Sequence, residues 1–459
     1  MKAFIPYALL GIIGVTGAVA GKAAMSSTSQ STAPTLTKPM AMNGSVRVTA
    51  SLDRTALPTL GGEAFVRVAL EGVMPNEQKH DRVPVSLTLV IDRSGSMGGP
   101  KMDDAKKAAL FALASLQPGD KACVVSFDQG AEDHGCVDVA TVGGTGSLPS
   151  AVEALSARGG TDMVSGLRVG GDAANKIHDG GRINRLMLLS DGRPDTEAGL
   201  RQQVTALAQR GITTTTLGLG EDYNEDLMAG LADAGLGKYY FVEKPEQLVS
   251  IFNDELKSLA TVVAHQAVVS IEPKDGVIID DVIGFRFDHS GSKVIIPAGD
   301  IYGGRVTDIL VRIHAPQANG MHDVVAAHVT YLDVKKNATV AEDRTLAALF
   351  TKDMNAVTAS LVPEVAVKAE KWHAAQAVLE ANAAYDRGDK TGGDTILQGS
   401  TVRLNASAAS LAAPELAAEA KENDSFKAKN DAGGDAWRGV GTKVAKKRAW
   451  SMNKGSAYQ

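Results

Sequence analysis

One uncharged apolar segment constrains the fold more than any other part of the chain. Residues 85–91 (VSLTLVI) are aliphatic or β-branched for the most part, and the polar sequence DRSGS follows them directly. Such a run is typical of a strand that is buried on both faces, at the centre of a parallel sheet. Open α/β sheets bind their ligands at the carboxyl ends of the strands. We therefore expect residues 92–96 to lie where such a site forms.

The pattern around this strand predicts two kinds of domain. From residue 83 to 260, strand-like and helix-like segments alternate, which indicates a doubly wound, mostly parallel α/β sheet. Residues 44–75 and 261–344 instead alternate apolar and polar side chains between turn residues, as antiparallel strands do. The early strands have no other evident partners, so we expect them to join the later ones. The α/β domain would then be inserted in a β-sandwich.

The two ends of the chain differ from these domains. Lys2 and an apolar run that ends in Ala-Val-Ala predict a signal peptide over residues 1–20, with an uncleaved membrane anchor as the alternative. Residues 21–43 have the composition of a flexible linker. The alanine-rich residues 345–420 predict a helical hairpin, and residues 421–459 predict a polar, basic tail. That tail could contact an anionic surface or could simply be solvated.

Charge and cysteine content limit the functional classes. A net charge of −6 argues against a nucleic-acid partner, and aromatic residues make up only 5% of the chain. The predicted signal peptide implies export to the periplasm, the cell surface or the medium. Cys123 and Cys136 are the two cysteines, and in an oxidising compartment they are a candidate disulfide, with two reduced thiols as the alternative. Membrane contact is expected only through an uncleaved signal segment or the basic tail.

Oxygen-bearing side chains recur where the predicted strands end and one helix begins. Asp92, Ser94 and Ser96 have a spacing of two residues, Asp191 ends a second apolar strand, and Thr161 follows two glycines at a helix start. If the two strands are neighbours, these oxygens meet at one edge of the sheet. Oxygen ligands suit a hard divalent cation. Five protein oxygens would leave at least one position open on a six-coordinate ion.

The sequences DRSGSM, GGTD and LSDG carry a family resemblance when taken together and in this order. Residues 84–260 resemble von Willebrand factor type A domains that have an intact metal-ion-dependent adhesion site. With its flanking segments the chain is similar to exported bacterial proteins related to inter-alpha-trypsin-inhibitor heavy chains. The resemblance implies five metal ligands, with the serines binding directly and the others directly or through water: Asp92, Ser94, Ser96, Thr161 and Asp191.

The resemblance and the open coordination position together imply a non-enzymatic protein-binding module. It would capture an Asp or Glu carboxylate of a protein partner through a divalent ion, for which Mg²⁺ is favoured and Ca²⁺ or Mn²⁺ are alternatives. An envelope structural or assembly protein with a stabilising metal is a second hypothesis, and a metal-dependent hydrolase is a third. The sequence contains no HExxH, GxSxG or GxxxxGK[ST] motif, which disfavours catalysis.

Overall fold

The structure is a computed structural model that describes residues 44–74, 83–220, 223–242, 244–259 and 261–454. The predicted signal peptide and linker, and the last five residues of the predicted tail, lie outside this range. Within it, no helix is both long enough and apolar enough to cross a membrane.

The chain begins with strands that belong to a later domain. They are β1 (Val46–Leu52), β2 (Ala56–Pro58) and β3 (Gly62–Gly72). The α/β domain follows, with strands β4 (Val85–Asp92), β5 (Lys121–Phe127), β6 (Ala131–Asp138), β7 (Ile183–Ser190), β8 (Ile212–Leu219) and β9 (Leu236–Val242). Its helices are α1 (Pro100–Ala114), α2 (Leu148–Glu153), α3 (Met163–Ile177), α4 (Leu200–Gln209), α5 (Glu225–Ala234) and α6 (Leu248–Leu259). Short 3₁₀ turns cover Gly95–Met97 and Pro245–Gln247.

The central sheet has the order β6-β5-β4-β7-β8-β9, and only its edge strand β6 runs antiparallel to its neighbour. β4 is buried along its whole length, as its uncharged sequence predicts, because helices cover both faces of the sheet. One core joins β4 to α1, α2 and α6, and the other joins it to α3, α4 and α5. The chain moves from β4 to β5 on one side and returns to β7 on the other. β4 is therefore the topological switch point of the sheet.

The antiparallel strands form the predicted sandwich. They are β10 (Val262–Pro273), β11 (Ile278–Ile283), β12 (Asp288–Ser290), β13 (Lys293–Tyr302), β14 (Val306–Ala315), β15 (Gly320–Asp333) and β16 (Ala338–Thr351). One sheet has the order β1-β3-β14-β11 and the other β12-β13-β10-β15-β16-β2, with a shared apolar core between them. Because β3 pairs with β14, the α/β domain is an insertion in the sandwich, which confirms the predicted fold class.

The C-terminal region differs from its prediction. After α7 (Met354–Ala359), three long helices follow: α8 (Pro363–Asp386), α9 (Lys390–Ser410) and α10 (Pro414–Lys454). The prediction that residues 421–459 are a tail beyond a two-helix hairpin is therefore wrong, since most of them continue α10. Leu416, Ala420 and Phe426 of α10 are buried against α8 and α9. These few apolar residues are enough because the helix needs only one narrow apolar face in a bundle.

The two cysteines lie directly opposite each other on β5 and β6, and the structure joins Cys123 to Cys136 in a disulfide. The alternative of two reduced thiols does not describe this structure, since the described residues contain no free cysteine. β6 is the antiparallel edge strand of the sheet, and the bond holds it to β5. α3 packs over both strands, because the core on its face of the sheet includes the two cysteines.

A buried network of charges joins the α/β domain to the sandwich. Glu255 of α6 contacts Lys238 of β9 (Oε2 to Nζ, 3.0 Å) and Arg185 of β7 (Oε1 to Nε, 3.5 Å). Arg185 in turn donates hydrogen bonds to Asp300 and Tyr302 of β13, each over 3.1 Å. Burial opposes the ionisation of Glu255, but the positive charges of Lys238 and Arg185 outweigh this effect. They lower the pKa of Glu255 to about 2. This anion therefore stays charged and fixes both cations.

We predict that Glu255→Gln destabilises the protein by about 3–5 kcal/mol, since it leaves two buried cations with too little negative charge. Thermal or urea unfolding at pH 7 measures the loss. Asp254→Asn is a matched control on the same helix, and because Asp254 is exposed we expect a change within about 0.5 kcal/mol. A Glu255→Gln variant that unfolds like the wild type would show that the network does not stabilise the fold.

Candidate metal site

The predicted ligands meet because β4 and β7 are parallel neighbours in the sheet. Ile91 of β4 is in register with Leu189 of β7, so both strands end at the same edge. Asp92 is the last residue of β4, and Asp191 follows the last residue of β7. Both carboxylates are buried, with exposed fractions of 0% and 1%. The switch point thus places two buried acids side by side.

The loop after β4 arranges its hydroxyl groups around these acids. The Ser94 backbone N–H donates to Asp92 Oδ1 over 2.7 Å, which turns the chain back toward the strand end. Ser94 Oγ lies 3.1 Å from Ser96 Oγ, and Ser96 Oγ donates to Asp191 Oδ1 over 2.8 Å. A continuous chain of oxygen atoms therefore runs from the first predicted ligand loop to the second carboxylate. Ser96 is exposed, so the cluster opens to solvent.

Thr161 completes the cluster from the loop before α3. The Gly95 N–H donates to the Gly159 carbonyl oxygen over 3.1 Å, which ties the loop before Thr161 to the serine loop. At Gly192, an added Cβ would lie 3.2 Å from Thr161 Oγ1 and 3.6 Å from Ser96 Oγ. The threonine hydroxyl and the Ser96 hydroxyl therefore both lie beside Gly192. The structure brings all five predicted residues to one place.

The buried carboxylate of Asp92 is held in an unfavourable environment. Burial raises its pKa to about 6, although hydrogen bonds from Ser190 and Ser94 act in the opposite direction; the negative charge of Asp191 raises it further. A carboxylate that is costly to ionise without a counter-charge is a natural partner for a cation.

The chemistry of this donor set fits a hard divalent ion. Carboxylate and hydroxyl oxygens supply every predicted ligand, as Mg²⁺, Ca²⁺ and Mn²⁺ prefer. In the described part of the chain, no group of three or more His, Cys, Asp and Glu side chains could hold a metal ion, so the predicted site depends on its hydroxyl oxygens as well as on its two carboxylates. The residues that would hold an ion are Asp92, Ser94, Ser96, Thr161 and Asp191.

Two residues that contact the cluster were not predicted from the sequence. Ser190 Oγ donates to Asp92 Oδ2 over 2.5 Å, so the second strand end supports the first carboxylate. Lys101, in the first turn of α1, forms an ion pair with Asp191 Oδ2. Ser190 could have been suspected because it precedes Asp191 directly. Lys101 carries no such signal, since only the path of the chain through the loop brings α1 back to Asp191.

A third carboxylate, Asp128, joins the loops that carry the predicted ligands. Its Oδ2 lies 3.2 Å from Arg93 Nε and accepts a hydrogen bond from Arg158 Nε over 2.8 Å. A backbone hydrogen bond also joins the two loops, since the Arg158 N–H donates to the Arg93 carbonyl oxygen over 2.7 Å. The Asp128 carbonyl oxygen also accepts from the Asp162 N–H over 2.6 Å. Asp128 thus aligns the Asp92 loop with the Thr161 loop.

Comparisons with known proteins relate the α/β domain to one family. Residues 86–254 match the family model of the von Willebrand factor type A domain. The uncharacterized protein sll0103 of Synechocystis is 26% identical over 276 residues, which are 57% of this chain and 64% of the relative. Inter-alpha-trypsin inhibitor heavy chain H1 of Mesocricetus auratus is 25% identical over 283 residues, 58% of this chain and 29% of the heavy chain. The chain thus spans less than two thirds of either relative.

Two solved structures share the fold over 90% of this chain. The von Willebrand factor type A protein from Catenulispora acidiphila has a TM-score of 0.68, with 19% identity and 98% of its own chain covered. The ArnB paralog VWA2 from Sulfolobus acidocaldarius has a TM-score of 0.58, with 18% identity and its whole chain covered. The strand order defines a doubly wound α/β domain that is inserted in a β-sandwich. The polar cluster lies at the switch point of this domain. The family match identifies residues 86–254 of this chain as a von Willebrand factor type A domain.

We predict that Asp92→Asn stabilises the metal-free protein at pH 7.5. The folded-state pKa of Asp92 is above its ordinary value, so this group reduces stability as the pH rises from about 4 to 6, and the full penalty applies above that range. This penalty amounts to at most about 3 kcal/mol. Melting curves in a chelator from pH 4 to 8 measure the difference, which should vanish near pH 4. A variant that is less stable at every pH would contradict the assigned cost.

We predict that Asp128→Asn loosens both ligand loops, because it removes the charge that holds Arg93 and Arg158. Amide hydrogen exchange should become faster at Gly95 and Arg158, whose N–H groups bond across the two loops. Asp133→Asn is the matched control, since Asp133 pairs with Lys176 at a distance of 2.8 Å on the edge strand β6. Unchanged exchange at the loops in Asp128→Asn would show that the backbone bonds alone align them.

Proposed function

We propose that this protein is a non-enzymatic, metal-dependent protein-binding module. Its site would hold a divalent ion through Asp92, Ser94, Ser96, Thr161 and Asp191, with Mg²⁺ favoured over Ca²⁺ and Mn²⁺. The bound ion supplies an electrophilic centre for a carboxylate of a protein partner. The observation that carries the proposal is the convergence of two buried carboxylates and three hydroxyls at one solvent-facing edge.

Different residues of this chain would supply the charge, the neutral oxygens and the loop alignment of such a site. The buried acids Asp92 and Asp191 provide negative charge from rigid strand ends, so the cation position is set by the sheet. Ser94, Ser96 and Thr161 provide neutral oxygens, which complete the ligand set without adding negative charge to that of the two acids. Because Ser96 is exposed, an Asp or Glu side chain of a partner can approach from this side. Asp128 keeps the two loops in register during that approach.

Export to the periplasm, the cell surface or the medium forms part of the proposal. The disulfide between Cys123 and Cys136 supports it, because such bonds persist in oxidising compartments. The apolar N-terminal sequence supports it as well, with Ala-Val-Ala at residues 18–20 as the cleavage pattern.

A structural role for the metal is the second candidate. The raised pKa of Asp92 favours this structural role, since a cation would offset the cost of the buried charge as well as bind a partner. Chelator treatment separates the two roles. Loss of partner binding with a melting curve that changes little supports capture, whereas unfolding supports a stabilising metal alone.

We predict that the double variant Ser94→Ala plus Ser96→Ala loses metal-dependent capture. Calorimetry with Mg²⁺ or Mn²⁺ should show one site in the wild type and an affinity at least about tenfold lower in the variant, since two direct ligands are removed. The wild type, but not the variant, should retain an envelope protein from the native host in Mg²⁺ and release it in chelator.

The matched control is Ser407→Ala plus Ser410→Ala, which removes two hydroxyls from α9 far from this site in the chain. It should bind metal and partner as the wild type does. Capture that persists in chelator, or in the Ser94 and Ser96 variant, would refute the metal-dependent mechanism. Turnover of phosphoesters in Mg²⁺ or Mn²⁺, lost in the same variant, would favour a hydrolase instead.

A further inference from the structure

Lys101 places a fixed positive charge against the predicted metal site. Its Nζ lies 2.5 Å from Asp191 Oδ2, and its side chain is 29% exposed while that of Asp191 is fully buried. The lysine reaches over the end of β8, where an added Cβ on Gly220 would lie 3.8 Å from its Cε and Nζ. The other oxygen of Asp191 accepts the hydrogen bond from Ser96. Asp191 is therefore bonded to the cluster on one side and to an ammonium group on the other.

Two arginines beside the ligand loops pair with acids other than the predicted ligands. Arg93 pairs with Asp128 and Glu132, and Arg158 pairs with Asp128. Among the ion pairs of the described residues, Lys101 with Asp191 is the one that includes a predicted metal ligand. Its role is thus separate from that of the Asp128 contacts, which align the loops.

We propose that Lys101 is an internal counter-ion that weakens cation binding and makes the site dependent on an external carboxylate. The inference rests on the proposed function. Asp92 and Asp191 contribute two negative charges, and Lys101 returns one positive charge, so these three side chains sum to one negative charge. A bound ion then keeps one net positive charge. A single carboxylate of a partner neutralises it, whereas a site without Lys101 is already neutral.

The same charge has a second effect on the protein without metal. Two buried carboxylates near one another repel, and the repulsion is strong where water is excluded. Lys101 compensates Asp191 in this state. Removal of the Lys101 charge should therefore lower the stability of the metal-free protein and increase the stabilisation that a bound metal provides. Both quantities can be measured.

The test compares Lys101→Met, which keeps the length but removes the charge, with Lys101→Arg, which keeps the charge. Calorimetry with Mn²⁺ should give a dissociation constant about tenfold lower in Lys101→Met than in the wild type, because a like charge beside the ion is gone. Lys101→Arg should stay within about threefold of the wild type. The Mn²⁺-induced rise in melting temperature should be larger in Lys101→Met.

Added acetate tests whether the site needs an external carboxylate, and acetamide is its neutral control. It should tighten Mn²⁺ binding in the wild type and have a smaller effect in Lys101→Met. Lys106→Met is the matched control on the same helix, since Lys106 bonds only to the Glu153 carbonyl oxygen among the described contacts, and it should behave as the wild type does.

The outcomes separate this inference from the proposed function. Equal or weaker Mn²⁺ binding in Lys101→Met, with wild-type binding intact, overturns the role of Lys101 and leaves the metal site standing. Absence of Mn²⁺ binding in the wild type overturns both. If Lys101→Met does not fold, Lys101→Gln removes the same charge with a polar side chain, and the same criteria apply.

Discussion

The parallel pairing of β4 with β7 is the constraint on which the site depends. It brings the ends of two fully buried strands to one edge, with Ile91 opposite Leu189. The two acids that follow are then neighbours without any contribution from loop flexibility. Because both acids are attached to buried strands, they have little freedom to move apart when no cation screens their charges. A cation, or the ammonium of Lys101, is the available source of compensation.

The chain uses buried charge in two different ways. At the carboxyl edge of the sheet, charge is only partly compensated, and the pKa of Asp92 is raised. In the network around Glu255 and Arg185, anions and cations satisfy each other, and the pKa of Glu255 is lowered. The first arrangement is suited to accept a ligand. The second fixes the α/β domain to β13 of the sandwich, since Arg185 contacts residues on both sides.

Both ends of the α/β domain lead into strands of the sandwich, since β3 precedes it and β10 follows it. The sandwich is therefore the body to which the inserted domain is attached at both of its ends. α8 extends this body, because Trp372 and Val365 pack against Phe65 of β3 on the outer face of one sheet.

Much of the architecture follows from local patterns in the sequence. An uncharged β-branched run has to be buried on both faces, alternating strands and helices form a parallel sheet, and alternating strands at both ends have to pair. The helix start expected beside Thr161 is that of α3, because the Asp162 side chain caps this helix. The five predicted site residues were found in the same way, since each stands at the end of an apolar strand or the start of a helix.

Tertiary structure alone decided the features that depend on distant partners. The helix α10 could not be predicted, because its overall polarity hides one narrow face that is buried only when α8 and α9 are present. Lys101 and Asp128 gained their contacts from packing, since nothing in their own neighbourhoods specifies which carboxylate or loop they meet. The sequence by itself determined which oxygens stand at the edge of the sheet. The fold determined how much of their charge is already compensated, because that depends on groups brought together from separate parts of the chain.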